Sequence, residues 1–378
     1  MILSEQQTMI RDMARAFARE RLAPNAARWD RDAHFPMAEL RDMGKLGLLG
    51  MNVAPEWGGS GADYVSTALA LEEIAAGDAA TSTVMSGHNS VGCMPVANFG
   101  NADQKKRFLR PMAEGKMLSA FLLTEAHGGS DAGAMTSKAV RIGDHYVLNG
   151  HKQFITTGKN ADVALIFART GESGSKGITA FIAPTSTPGY DVVRVESKLG
   201  QRASDTCQIA FNDMRVPVEN RLGAEGEGFR IALSNLQGGR IGIAAQAVGI
   251  ARAAYEAALD YARERQVFGR TIIDHQAVGF RLAAMATRVE CARQMVLHAA
   301  ALTDAGQPSL MEACMAKLVA SEAAEWVCSE AIQTLGGYGY LNDFPVERLY
   351  RDARVCRIYE GTNDIQHLVI LREMQKRG

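Results

Sequence analysis

The segment Tyr359-Glu360-Gly361-Thr362-Asn363-Asp364-Ile365-Gln366 puts a carboxylate on a loop just ahead of a helix start. The glycine after Glu360 frees that loop to face a cavity. Ile358 and Tyr359 beside it can make the cavity apolar. Desolvation then raises the pKa of Glu360 and strengthens it as a base. Asn363 and Gln366 can form a capping box at the helix start. A surface glutamate favoured by a helix N-terminus accounts for the same residues without chemistry.

Three further segments have the residue types of a binding site. Leu123-Thr124-Glu125-Ala126-His127-Gly128-Gly129-Ser130-Asp131 offers backbone N–H groups at two glycines and hydroxyls at Thr124 and Ser130. Such a loop can hold the polar edge of an aromatic ring or a phosphate, and it can equally be a plain turn. Arg265-Gln266-Val267-Phe268-Gly269 puts a cation at a helix end, where Arg can grip a pyrophosphate and Phe268 can pack on a ring. A dipole-favoured Arg with Gly269 as the helix cap reads as well. Gln333-Thr334-Leu335-Gly336-Gly337-Tyr338-Gly339-Tyr340 holds more glycine than one helix stop needs, which points to close approach by a ligand or another subunit. No GxGxxG and no GxxxxGK[ST] occurs, so a Rossmann or P-loop nucleotide site is not supported.

Composition narrows the classes. Of 378 residues, 47% are hydrophobic and 22% charged, and the net charge of -1 leaves no basic field for nucleic acid. The start, Met1 to Arg21, lacks the apolar core of a signal peptide, and no run is long enough for a membrane span. Ile241 to Ala251 reads as a buried helix. The six cysteines, Cys93, Cys207, Cys291, Cys314, Cys328 and Cys356, form no CxxC pair and suit reduced thiols of a cytoplasmic protein. No metal-ligand spacing is present, and no metal is expected.

The elements that must position these segments fall into three textures, placed at 1–117, 118–224 and 225–378. The first reads as helical. Ser4 and Gln7 form a capping box, and Met9, Met13 and Phe17 make an apolar stripe. The second is a small, mainly antiparallel β-domain, with strands around 146–148, 162–167, 177–183, 190–195 and 206–211 and a turn at Asn149-Gly150. The third is a four-helix bundle, with helices near 228–265, 275–303 and 309–335 and another after Thr362.

Taken together the segments resemble the acyl-CoA dehydrogenase family nearly end to end, nearest its short-chain and short-branched-chain members. Six motifs stand in family order: Leu123-Thr124-Glu125 through Gly129-Ser130-Asp131; Phe154-Ile155-Thr156; Gly239-Arg240; Arg265 through Phe268-Gly269; Gln333 through Gly339 with Arg351-Asp352; and Tyr359-Glu360-Gly361-Thr362. The resemblance implies a helical N-terminal domain, a β-barrel-like middle domain and a C-terminal four-helix bundle. It implies FAD bound without a Rossmann fold. Phe121, Leu123, Thr124, Gly129 and Ser130, with Phe154, Ile155 and Thr156, would embrace the isoalloxazine. Arg265, Phe268, Gln276, Gln333, Leu335, Gly336 and Gly337 would reach the pyrophosphate and adenosine part from a neighbouring subunit. Thr362, Asn363 and Asp364 would close the site. Ser130, Gln237, Arg240, Tyr359 and Gly361 would meet the CoA thioester.

By the same resemblance Glu360 is the catalytic base. Some relatives carry the base where Gly239 stands here, and glycine cannot serve. The implied reaction is α,β-dehydrogenation of an acyl-CoA to the trans-2-enoyl-CoA, with Glu360 taking the α-proton and flavin the β-hydride. Electrons would leave to electron-transfer flavoprotein, and the shared FAD site would make a homo-oligomer, typically a tetramer. Alternatives on the same fold are an oxidase using O₂ and an enzyme for carrier-protein-bound acyl groups; a flavin-free scaffold is a third. The chain departs from the family pattern at Ala126-His127, at Leu122 and at Phe154, where many relatives have Trp. His127 reads as a solvated loop residue. The acyl pocket is expected near Leu71–Ala79, Met85–Met94 and Leu233–Gln237.

Overall fold

The structure, a computed structural model, describes residues 1–172 and 174–377. The N-terminal stretch is helical from Glu5–Phe17 onward, and the expected capping box is formed: Gln7 N donates to Ser4 Oγ and Ser4 N to Gln7 Oε1. The stripe is shifted from the expected one. Met9 is exposed, while Ile10, Met13, Ala14 and Phe17 face the core. The helix Tyr64–Gly77 is buried on nearly all sides. It lies between the first helix and the bundle, so it needs no polar face.

Eight strands follow: β1 (Ser119–Leu122), β2 (Lys138–Ile142), β3 (His145–Thr156), β4 (Val163–Arg169), β5 (Ile178–Pro184), β6 (Tyr190–Val195), β7 (Thr206–Pro217) and β8 (Arg221–Leu222). They pair in the order β6-β7-β3-β2-β4-β5-β8, with β1 parallel to β4. Tyr146 on β3 and Phe181 on β5 are three strands apart in that order, about 14 Å in a flat sheet. Their ring centroids are 4.9 Å apart, so the sheet curls around its own core.

Asn149-Gly150 does not turn the chain. Both residues lie inside β3 at a register shift; Gly150 has φ +148°, and a Cβ there would sit 2.6 Å from the Ser137 Cα. The hairpin between β2 and β3 turns instead at Gly143-Asp144, with Gly143 at φ +62°.

The bundle comprises the helices Leu236–Glu264, Gln276–Asp304, Leu310–Leu335 and Asn363–Arg377. The first was expected to run unbroken from Gly228. Instead Gly228–Ser234 is a separate short helix, with Asn235 at the junction between the two helices. Ile241 to Ala251 is buried throughout, as expected. A further helix, Pro345–Ala353, was not foreseen; it starts at a proline and is only nine residues long. The two helical stretches share one core that runs from Ala14 to Cys356. Arg252 bridges them, 3.0 Å from Glu72 and 2.6 Å from Glu73.

Candidate active site

Glu360 sits in a turn with φ +55°, followed by Gly361 at φ +88°. Two successive left-handed residues turn the carboxyl back toward the bundle. Its Oε2 is shielded from solvent and has no hydrogen-bond partner. Burial raises its pKa to about 7, against the pull of Arg240 and Lys317. The facing helix makes room for it by lacking a side chain. A Cβ on Gly239 would lie 2.9 Å from Glu360 Oε1 and 3.0 Å from its Cδ.

The carboxyl opens on a cavity of about 320 Å³ between the bundle, the β-domain and the helix Ala79–Gly87. One wall is the β-domain: Phe121 from β1, Leu123, Thr124, Gly129 and Ser130 from the loop after it, and Phe154, Ile155 and Thr156 from the end of β3. Phe154 lies in the second register shift of β3 with φ +59°, and 64% of it is exposed. The bulge lifts its ring out of the sheet. The bundle wall presents Leu236, Arg240 and Ile243, spaced to share a helix face, with Tyr359, Glu360 and Gly361.

Glu125, in the middle of the loop motif, faces away from the cavity and serves the architecture. Its carboxylate accepts from Lys152 Nζ at 2.9 Å, Thr136 N at 2.7 Å and Ser137 N at 3.0 Å. Burial alone would raise its pKa, but Lys152 and these donors hold it down at about 2. Burial lowers Lys152 to about 8. His127 is exposed, 3.7 Å from Glu125 Oε2 and outside the cavity wall.

The remaining candidates are elsewhere. Arg265, Leu335, Gly336 and Gly337 line a separate, open pocket of about 420 Å³ at one end of the bundle. Gly269 is not a helix cap. Phe268 and Gly269 form the two-residue turn of a hairpin, with Phe268 at φ +54° and 91% exposed. Gln276 and Gln333 are exposed. Gln237 donates to Ser309 Oγ at 2.6 Å and is not in the cavity wall.

Two expectations about the Glu360 loop need correction. Ile358 is exposed rather than part of an apolar wall. Asn363 and Gln366 form no capping box. Thr362 Oγ1 accepts from Ile365 N, while Gln366 reaches back to the carbonyl oxygens of Glu360 and Gly361. Asn363 accepts from Lys317 and Ser321. Asp364 is exposed.

Sequence reasoning missed Thr83, Val84, Ser119, Phe229 and Ile243 in the cavity wall. It placed Gly87, His88, Val91, Leu233 and Leu236 only within broad windows. Helix periodicity flags apolar faces, but which face meets a cavity depends on long-range packing.

Family profiles match consecutive stretches of the chain: the acyl-CoA dehydrogenase N-terminal domain over residues 4–116, the middle domain over 120–214 and the C-terminal domain over 226–375. The chain belongs to the acyl-CoA dehydrogenase family. It is 44% identical to the short-chain specific acyl-CoA dehydrogenase of Clostridium acetobutylicum, with 97% of each chain covered. Butyryl-CoA dehydrogenase from Megasphaera elsdenii superposes with a TM-score of 0.97 at 40% identity, covering 99% of both chains. So does a chain solved in work on the electron transferring flavoprotein of Acidaminococcus fermentans, with TM-score 0.97, 45% identity, and 99% of this chain and 98% of that one covered.

As an acyl-CoA dehydrogenase, the chain is an oxidoreductase, and its cofactor is FAD. The donor set suits a flavin. An exposed aromatic ring at Phe154, a two-glycine loop and the hydroxyls of Thr124, Ser130 and Thr156 converge on a cavity of ligand size. Among the described residues no helix is long and apolar enough to cross a membrane.

Proposed function

We propose that this acyl-CoA dehydrogenase oxidises short acyl-CoA thioesters, with Glu360 taking the proton from the α-carbon and electron-transfer flavoprotein as the electron acceptor. The observation that carries the reading is the unpartnered, solvent-shielded Oε2 of Glu360 at the cavity. A buried carboxylate that accepts nothing from the protein keeps its lone pairs for substrate. With its pKa near 7, Glu360 is ionised over much of the neutral range yet basic enough to share a carbon-bound proton.

The isoalloxazine would be held by Phe121, Leu123, Thr124, Gly129, Ser130, Phe154, Ile155 and Thr156. Bound FAD supplies the acceptor for the β-hydride. Arg240 and Ser130 line the cavity and would orient the thioester. Tyr359 is held rigid beside them: its hydroxyl donates to Gln246 and accepts from Gln201 Nε2 at 3.3 Å. Val84, Leu236 and Ile243 keep the pocket apolar, which strengthens every charge interaction inside it.

Arg265, Phe268, Gln276, Gln333, Leu335, Gly336 and Gly337 would serve the FAD of a neighbouring subunit in a homo-oligomer, a tetramer by family likeness. Apart from its chain neighbours, nothing among the described residues lies within 4 Å of a Cβ placed on Gly337, so their packing does not require glycine there. The short-chain relatives support a short acyl substrate, and the chain solved in work on an electron transferring flavoprotein supports that acceptor.

Glu360→Gln tests the reading. Turnover of butyryl-CoA with an artificial acceptor should fall by roughly 10⁴-fold or more, with flavin content unchanged. Retained turnover would remove Glu360 as the base.

A further inference from the structure

Lys317, on the helix Leu310–Leu335, is fully buried. Its ammonium donates to Gly361 O at 2.9 Å and to Asn363 Oδ1 at 3.0 Å. No carboxylate among the described residues pairs with it within 4.0 Å. Two neutral acceptors are poor return for burying a charge. Both of them belong to the turn that carries Glu360, whose carboxyl lies in the same buried space.

We propose that Lys317 is a positioning residue for the base: it clamps the left-handed turn at Glu360-Gly361 and supplies the positive charge that favours the ionised carboxylate. The inference rests on Glu360 being the base. The clamp is shared. Gln366 Nε2 also donates to Gly361 O, at 2.8 Å, and Ser321 Oγ donates to Asn363 Oδ1 at 3.1 Å. The positive charge has a second source as well. From the bundle, Arg240 also faces Glu360, with its Nη1 against Cys314 Sγ at 3.4 Å. Cys356 and Arg357 face Lys317 from the turn before the base, and Glu373 acts on Cys314 from the last helix. Burial lowers Lys317 itself to about 8, so its charge is present where Glu360 titrates, at about 7.

The test uses the FAD-loaded enzyme with Lys317→Gln, which keeps a donor but no charge, Lys317→Met, which keeps neither, and Lys317→Arg, which keeps the charge. The infrared band of the protonated carboxyl that disappears in Glu360→Gln is titrated in each, alongside the pH profile of kcat/KM. Activity should climb as pH rises through about 7 in the parent, because the base must be ionised. Loss of the charge should move the band's midpoint upward by about one pH unit or more in the Gln and Met variants, and Arg should restore it. An unmoved midpoint in the Gln variant overturns the proposal, even if its melting temperature falls. A midpoint that moves while the activity limb stays in place upholds the coupling and instead overturns Glu360 as the base.

Discussion

Glu360 and Gly239 are one steric unit. The carboxyl of one residue occupies the space where the other would carry a side chain, with 2.9 Å between Oε1 and the Cβ position. A contact that close is tighter than carbon and oxygen tolerate, and the near neighbour on the carboxyl side is the group proposed to act on substrate. Gly239→Ala should therefore displace the carboxyl while leaving the helix intact, since alanine suits a helix better than glycine. A misplacement of that order costs on the order of 100-fold in kcat/KM. Steady-state kinetics on butyryl-CoA check it, with circular dichroism to confirm an unchanged helix content. Activity within a few-fold of the parent would show that the carboxyl has another place to go.

At the scale of elements, the loop between β1 and β2 is shaped by a buried ion pair. Lys152 of β3 and Glu125 of the loop are both nearly inaccessible and 2.9 Å apart, and Lys152 also donates to Leu123 O at 3.1 Å. The pair fixes the residues on either side of Glu125, so that Thr124 and Ser130 face the cavity. Lys152→Met leaves a buried carboxylate without its cation. It should cost about 3–5 kcal/mol of stability and loosen the flavin. Urea unfolding followed by tryptophan fluorescence, with the flavin-to-protein absorbance ratio, reads both. β3 contributes a second device, since its bulge at Phe154 spends backbone strain to present a ring.

The whole molecule has two sites that one chain does not join. The cavity at Glu360 and the pocket at Arg265, Gly336 and Gly337 share no residue. Phe268 stands at a hairpin tip, 91% exposed and strained at φ +54°, with its ring edge-on to His275 at 6.1 Å between centroids. In the proposed oligomer a neighbouring subunit would cover that ring. Phe268→Ala should then change the unfolding free energy of the isolated chain by no more than about 0.5 kcal/mol. It should lower bound FAD and shift the oligomer toward smaller species, measured by flavin absorbance and light scattering. Full flavin content and an unchanged mass would place Phe268 outside the shared site.

Much of this was legible in the residues themselves. Composition and periodicity separate the helical, β and helical stretches, because solvent exposure repeats every two or nearly four residues along the chain. The motif at Glu360 and the loop at Leu123–Asp131 mark the chemistry, and their order along the chain carries the family likeness. Three local readings failed for want of long-range information. Asn149-Gly150 has the residues of a turn, but it lies inside β3, paired with β7 across a register shift. Asn363 and Gln366 have the residues of a capping box, but Lys317, distant in sequence, takes one and the Glu360 loop takes the other. Ile358 is apolar and yet exposed. Tertiary structure alone decided that Glu125 and Lys152 form a support, that Gly239 leaves the space the Glu360 carboxyl fills, and that buried Lys317 binds the turn carrying Glu360. Each of these is a contact between segments far apart in the chain, fixed by packing that no local pattern encodes.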